Sequence, residues 1–239
     1  MSQGNDGKQR SGLRVSVLVE LMDIRTHARS GRPLSDLLGS EHFEEMVAYI
    51  EGYLRCAWRS GCQDNEYIHF RDWLSDVKGE YPEGWKEHYV QVCGGDHEKA
   101  MMRLLGFIAE FLALRQPEPP AQPSLTPERY VSLLDDLMSF YPDVQRGRPL
   151  WFFFGAETLP TLATYIRGYL RCGERHGCSD TRWKSFRRWL AESHALEPET
   201  WVPRLLERCG GDHPAAMRRL LDLATLFVHE HEPPKPARA

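Results

Sequence analysis

YIEGYLRC at Tyr49–Cys56 returns as YIRGYLRC at Tyr165–Cys172. A shift of 116 residues superposes the two, and the same shift aligns the chain around them without a gap. GRPL at Gly31–Leu34 meets GRPL at Gly147–Leu150. FRDWL at Phe70–Leu74 meets FRRWL at Phe186–Leu190. CGGDHEKAMMRLL at Cys93–Leu105 meets CGGDHPAAMRRLL at Cys209–Leu221. Roughly two in five positions between 15 and 111 are identical, where chance gives about one in sixteen at average composition. So long a period excludes a solenoid of short repeats, which run about 20–50 residues. Each copy is long enough to bury a core of its own.

Within a copy the apolar residues follow a helical period. Val15, Leu18, Leu21 and Met22 form one stripe, and Met46, Tyr49, Ile50, Tyr53, Leu54 and Cys56 a second. Tyr67, Phe70, Trp73, Leu74 and Val77 form a third. Trp85, Tyr89, Val92 and Cys93 form a fourth, and Met101 to Leu112 a fifth. Spacings of three and four fit an amphipathic helix better than alternation does. Gly61 and Gly94-Gly95 stand at helix ends, and Asp64 and Asp96 stand where N-caps begin the next helix. Copy 2 repeats them as Gly177, Gly210, Gly211, Asp180 and Asp212. The expected fold is all-α: two homologous helical-bundle domains in tandem, about five helices each. Domain 1 is expected over 13–114 and domain 2 over 129–231. A proline-rich linker at 115–128 joins them, and solvated tails lie at 1–12 and 232–239. A monomer whose repeats pair as a pseudo-dimer is expected.

The 239 residues carry 30 Lys plus Arg against 34 Asp plus Glu, a net charge of −4. That balance speaks against a nucleic-acid binder, which usually shows a basic excess. No run approaches the apolar length of a membrane span, and the first residues hold no apolar leader. A cytoplasmic location with reduced cysteines is therefore expected.

All six cysteines are paired by the repeat. Cys56, Cys62, Cys93 and His97 in copy 1 match Cys172, Cys178, Cys209 and His213 in copy 2. Three thiols and an imidazole are the ligand set of a tetrahedral zinc site, so one Zn per copy is one reading. The other is that the thiols are small core hydrophobes on the helical stripes and that His97 is a neutral capping side chain. The spacing lacks the CxxC knuckle of strong zinc motifs, so no cofactor is the first expectation. CGGDH also offers a thiolate near a helix N-terminus. With no base or pocket to serve it, no catalytic residue is assigned. Arg55 and Arg59 recur as Arg171 and Arg175, either as an anion-binding set or as an ion-pair network tying helices together.

Where the copies differ, partners are expected to bind. LSDLLG at Leu34–Gly39 becomes LWFFFG at Leu150–Gly155, and Trp151, Phe152, Phe153 and Phe154 cannot all face one core. They are read as an exposed docking surface or as a seam between the copies. The third helix carries Glu66, Asp72 and Asp76 in copy 1 but Arg182, Lys184, Arg187 and Arg188 in copy 2.

The order of Gly52-Tyr53, Phe70, Trp73, Trp85, Asp96, Ala100 and Leu104 resembles small all-helical immunity proteins encoded beside bacterial polymorphic toxins. Copy 2 repeats it as Gly168, Tyr169, Phe186, Trp189, Trp201, Asp212, Ala216 and Leu220. The resemblance runs through nearly the whole of each copy. It implies a non-catalytic module that binds a protein partner, a cognate toxin, and blocks it by occlusion. The cysteine–histidine set departs from that pattern.

Overall fold

Every described segment is helix or short connection, because the apolar stripes leave no alternating pattern for a strand. The computed structural model describes residues 15–80, 85–114, 125–155 and 158–231. The first half holds α1 (Val17–Arg29), α2 (Leu34–Leu38), α3 (Phe43–Arg59), α4 (Asn65–Asp76), α5 (Trp85–Val92) and α6 (His97–Leu114). The second holds α7 (Leu133–Gln145), α8 (Trp151–Phe154), α9 (Leu159–Arg175), α10 (Thr181–His194), α11 (Trp201–Arg208) and α12 (His213–His231). Each half thus has the five longer helices expected and one short additional helix among the described residues. The additional one, α2 or α8, is a turn or so between a proline and a left-handed glycine, Gly39 or Gly155. It is too short to show a period.

The repeated aspartates each tie down two helices. Asp64 Oδ1 accepts from Tyr67 N at 3.0 Å and caps α4, while Oδ2 accepts from Val17 N at 2.6 Å at the head of α1. Asp180 does the same for Trp183 N (2.9 Å) and Leu133 N (2.7 Å). One carboxylate thereby satisfies orphan donors of two helix starts. Asp96 and Asp212 cap α6 and α12 through Lys99 N and Ala215 N, both at 2.9 Å.

The halves meet along α3 and α9, the two helices with the YI-x-GYLRC sequence. Gly52 lies against the carbonyl of Tyr165, and Gly168 against the carbonyl of Tyr49; a Cβ at either glycine would overlap that oxygen. Only glycine lets the two backbones touch. The buried apolar residues of both halves form one cluster across this crossing. The two copies therefore share a core. Of the expected linker, residues 115–124 lie outside the described residues, as do both expected tails. Leu125, near the end of the expected linker, is buried, and Arg129, which opens the expected second domain, donates to Gly61 O of the first half at 3.1 Å.

This crossing makes a paired expectation. Gly52→Ala should cost about 3 kcal/mol or more, because overpacking here meets backbone rather than a movable side chain. Gly106→Ala, mid-helix in open space, should gain about 0.5–1 kcal/mol. Urea unfolding of both variants beside the parent checks the two signs.

Candidate functional site

The repeated arginines do not form an anion site; they cross the seam. Glu20 on α1 accepts from its own half's Tyr49 hydroxyl (3.1 Å) and from Arg171 Nε (2.9 Å) and Arg175 Nη1 (2.7 Å) of the other half. Asp136 on α7 mirrors this. It accepts from the Tyr165 hydroxyl (3.3 Å) and Arg55 Nε (3.0 Å), with Arg59 Nε at 2.9 Å. Asp136 is fully buried, and burial pushes its carboxyl upward while Arg55 and Arg59 pull it down. Desolvation of these carboxylates is offset only while both guanidinium groups stay in place. Asp136→Asn should therefore cost about 3 kcal/mol, the low end for a broken buried pair, since the arginines keep some water contact. Removing the exposed Arg71–Asp72 pair should stay within about 0.5 kcal/mol. Chemical denaturation of the two variants gives the comparison.

The thiol–imidazole sets do not converge. Among the described residues, the group of ligand-type side chains with donor atoms within 4.8 Å of one another is His42, Glu44 and His97, and it contains no cysteine. Cys56 instead interacts with Cys172 of the other half at the seam. Cys62 and Cys178 point back to the Ser60 and His176 carbonyls. His97 Nδ1 accepts from Phe43 N at 3.2 Å, and His213 Nδ1 from Leu159 N at 3.3 Å. Each imidazole caps the head of the long seam helix of its half. This corrects the Cys3His reading of Cys56, Cys62, Cys93 and His97 and of Cys172, Cys178, Cys209 and His213. Helix packing turns the four side chains of each set to different neighbours. In the remaining group, His42, Glu44 and His97, the His97 lone pair is already taken by Phe43 N–H. A helix N-terminus also opposes a cation there.

Burial pushes the Cys56, Cys62 and Cys178 thiols up. Cys172 is drawn down to about 7, first by the interaction with Cys56 and then, against burial, by His176. Access decides reactivity: five thiols are buried and Cys209 is half-buried. Alkylation of the native chain should label Cys209 first and the other five only on unfolding, as peptide mass mapping over time would report.

The residues expected to face a partner lie on two separate surfaces. The expected residues divide between them. Trp151 and Phe152 on α8 are 54% and 58% exposed, Phe153 is half-buried, and Phe154 is wholly inside against Tyr165. The rings continue from Trp151 to Phe152 (6.3 Å), Phe153 (5.3 Å) and Phe140 (4.7 Å). Arg55 of the first half then lies over Phe140 at 4.8 Å and over Trp58 at 4.7 Å. Trp58, 61% exposed, ends a strip of ring and guanidinium contacts that crosses both halves through the buried Phe140. Sequence reasoning passed over it, although it differs between copies: Glu174 stands at the matching position.

The charged residues of α4 and α10 do not join this strip. Lys184, Arg187 and Arg188 line a different depression with Trp183, Ala191 and Pro198. Arg182 pairs with Asp135, and Lys184 donates to Ser179 Oγ at 2.9 Å. In the first half Glu66 accepts from Ser16 Oγ at 2.7 Å, and Asp72 and Asp76 are exposed. Local helix pairing thus takes up Arg182 and Glu66, two residues expected to face a partner.

The chain matches no known protein family, no curated protein and no solved structure. Among the described residues, no helix is long and apolar enough to cross a membrane.

Proposed function

We propose that this protein is a non-catalytic protein-binding module, made of two homologous helical domains joined as a pseudo-dimer. It acts as an immunity-type inhibitor that covers a cognate toxin. The observation carrying this reading is the aromatic–guanidinium strip Trp58, Arg55, Phe140, Phe153, Phe152, Trp151. Exposed tryptophan, phenylalanine and arginine at the centre of a surface are what binding hot spots are made of. Large exposed rings at both ends of one such strip, Trp58 at one and Trp151 with Phe152 at the other, support an interaction surface. The strip needs both halves, which gives the fusion a purpose: each half supplies one end of a single surface. Arg55 is held by Asp136 beneath it, so the strip is rigid before a partner arrives, and little ordering is lost on binding. The resemblance to immunity proteins points to the same class, a blocker without chemistry of its own.

The test is capture from the native host with the tagged full chain, followed by expression of the captured protein alone. The expected result is one stoichiometric partner that is toxic by itself and is neutralised by the parent chain. The double variant Trp58→Ala/Phe152→Ala should lose about a thousandfold in affinity, at roughly 2 kcal/mol per hot-spot ring, with unfolding unchanged because both rings are exposed. Equal neutralisation by parent and variant would remove the strip from the account.

A further inference from the structure

The pseudo-two-fold relation places a groove on each side of the α3–α9 seam, and the two are unequal. One, of 460 Å³, lies beside the aromatic strip between Glu51 and Arg55 of the first half and α8 of the second. Its counterpart, of 880 Å³, lies between Arg167 and Arg171 of the second half and α1 and α2 of the first. The large groove runs on to Trp183, Arg187 and Trp201, whose counterparts do not line the small one, and the stretch that the two share also differs in sequence. Phe140, Phe152 and Phe153 of the small groove stand where Ile24, Asp36 and Leu37 stand in the large one. The chain fills one groove with its own rings and leaves the other open.

The open groove has an aromatic lining and an undersolvated cation. Trp183 and Trp201 line it, 5% and 8% exposed. Arg187 lies over the Trp201 ring at 5.2 Å, half-buried, and desolvation lowers its pKa; Glu199 counters this but stays outside ion-pair distance. Arg167, folded against Gly39, also has no carboxylate partner among the described residues. The other acids along the groove are accounted for. Glu20 and Glu174 are paired with Arg171, and Asp23 with Arg175. Asp36 and Glu199 are exposed and hydrated, so they oppose an incoming anion weakly. A guanidinium already stripped of part of its water gains more from a carboxylate than one in bulk solvent does.

We infer that the open groove is a second binding site, for a protein segment that inserts an aromatic side chain against Trp183 and Trp201 and pairs a neighbouring carboxylate with Arg167 and Arg187. The aromatic half follows from the lining: Trp183 and Trp201 share the open groove with Ile24 and Leu37, the positions that Phe140 and Phe153 occupy in the filled one. The acidic half follows from the two unpaired guanidinium groups. The site does not depend on the Trp58–Trp151 strip, so each can fail without the other.

A fluorescein-labelled acetyl-Glu-Asp-Trp-Asp-Glu amide, titrated with the full chain and read by anisotropy, tests it. Saturable binding is expected. Arg187→Gln should weaken it tenfold or more. Leu37→Phe, which writes the residue of the filled groove into the open one, should abolish it without changing charge. Trp58→Ala should leave it unaltered. If Leu37→Phe does not fold, the exposed Arg167→Gln carries the same expectation of a tenfold loss. Absence of saturable binding overturns the inference. So does equal binding of a peptide with lysines for the acids, of one with alanine for the tryptophan, or of a single-stranded oligonucleotide of equal charge.

Discussion

Two helices touching backbone to backbone hold this protein together. Gly52 and Gly168 let α3 and α9 approach until each glycine lies on a carbonyl of the other helix. That closeness lets the arginines of one half reach the carboxylates of the other. Arg55 and Arg59 reach Asp136, and Arg171 and Arg175 reach Glu20. Burying a carboxylate is costly on its own. The seam offsets that cost with two guanidinium groups from one side and a tyrosine hydroxyl from the other. A half without its neighbour would leave Glu20 or Asp136 short of both arginines. The exchange thus binds the halves to each other more specifically than a shared apolar surface could, since a one-turn slip along α3 and α9 would break all four ion pairs.

Identity and difference between the halves are distributed by this constraint. Most seam residues are the same in both halves: tyrosine, glycine, the two arginines and the central cysteine, with Glu20 answering to Asp136. Away from the seam, matching positions have changed character. Trp58 answers to Glu174, Glu51 to Arg167, and Phe152 to Asp36. A symmetric frame therefore displays two unlike flanks, one packed with rings and one open with cations. Symmetric packing inside with asymmetric chemistry outside suits a protein that meets its partner on one face rather than as a two-fold dimer.

The cysteines and histidines show how composition and placement part company. Three thiols and an imidazole repeated in two copies have the chemistry of a zinc set. Yet Cys56 turns to Cys172, Cys62 and Cys178 turn back to local carbonyls, and His97 and His213 cap the seam helices. Packing accounts for keeping each of them: a small polarizable side chain at a tight crossing, and a neutral nitrogen for an orphan N–H.

The sequence by itself determined the helical class, the helix ends and starts marked by Gly61, Asp64, Gly94-Gly95 and Asp96 and their repeats, the capping aspartates and the internal repeat. Each of these is written in local periodicity or in side chains a few residues apart. The short α2 and α8 escaped because one turn carries no period. Only the tertiary structure decided how the halves meet and what that does to the surface. Arg55 and Asp136 are 81 residues apart, and nothing local marks them as partners. The same holds for the strip from Trp58 to Trp151 and for the unequal grooves. Each is assembled from both halves, and its geometry exists only once the two glycines have brought α3 and α9 into contact.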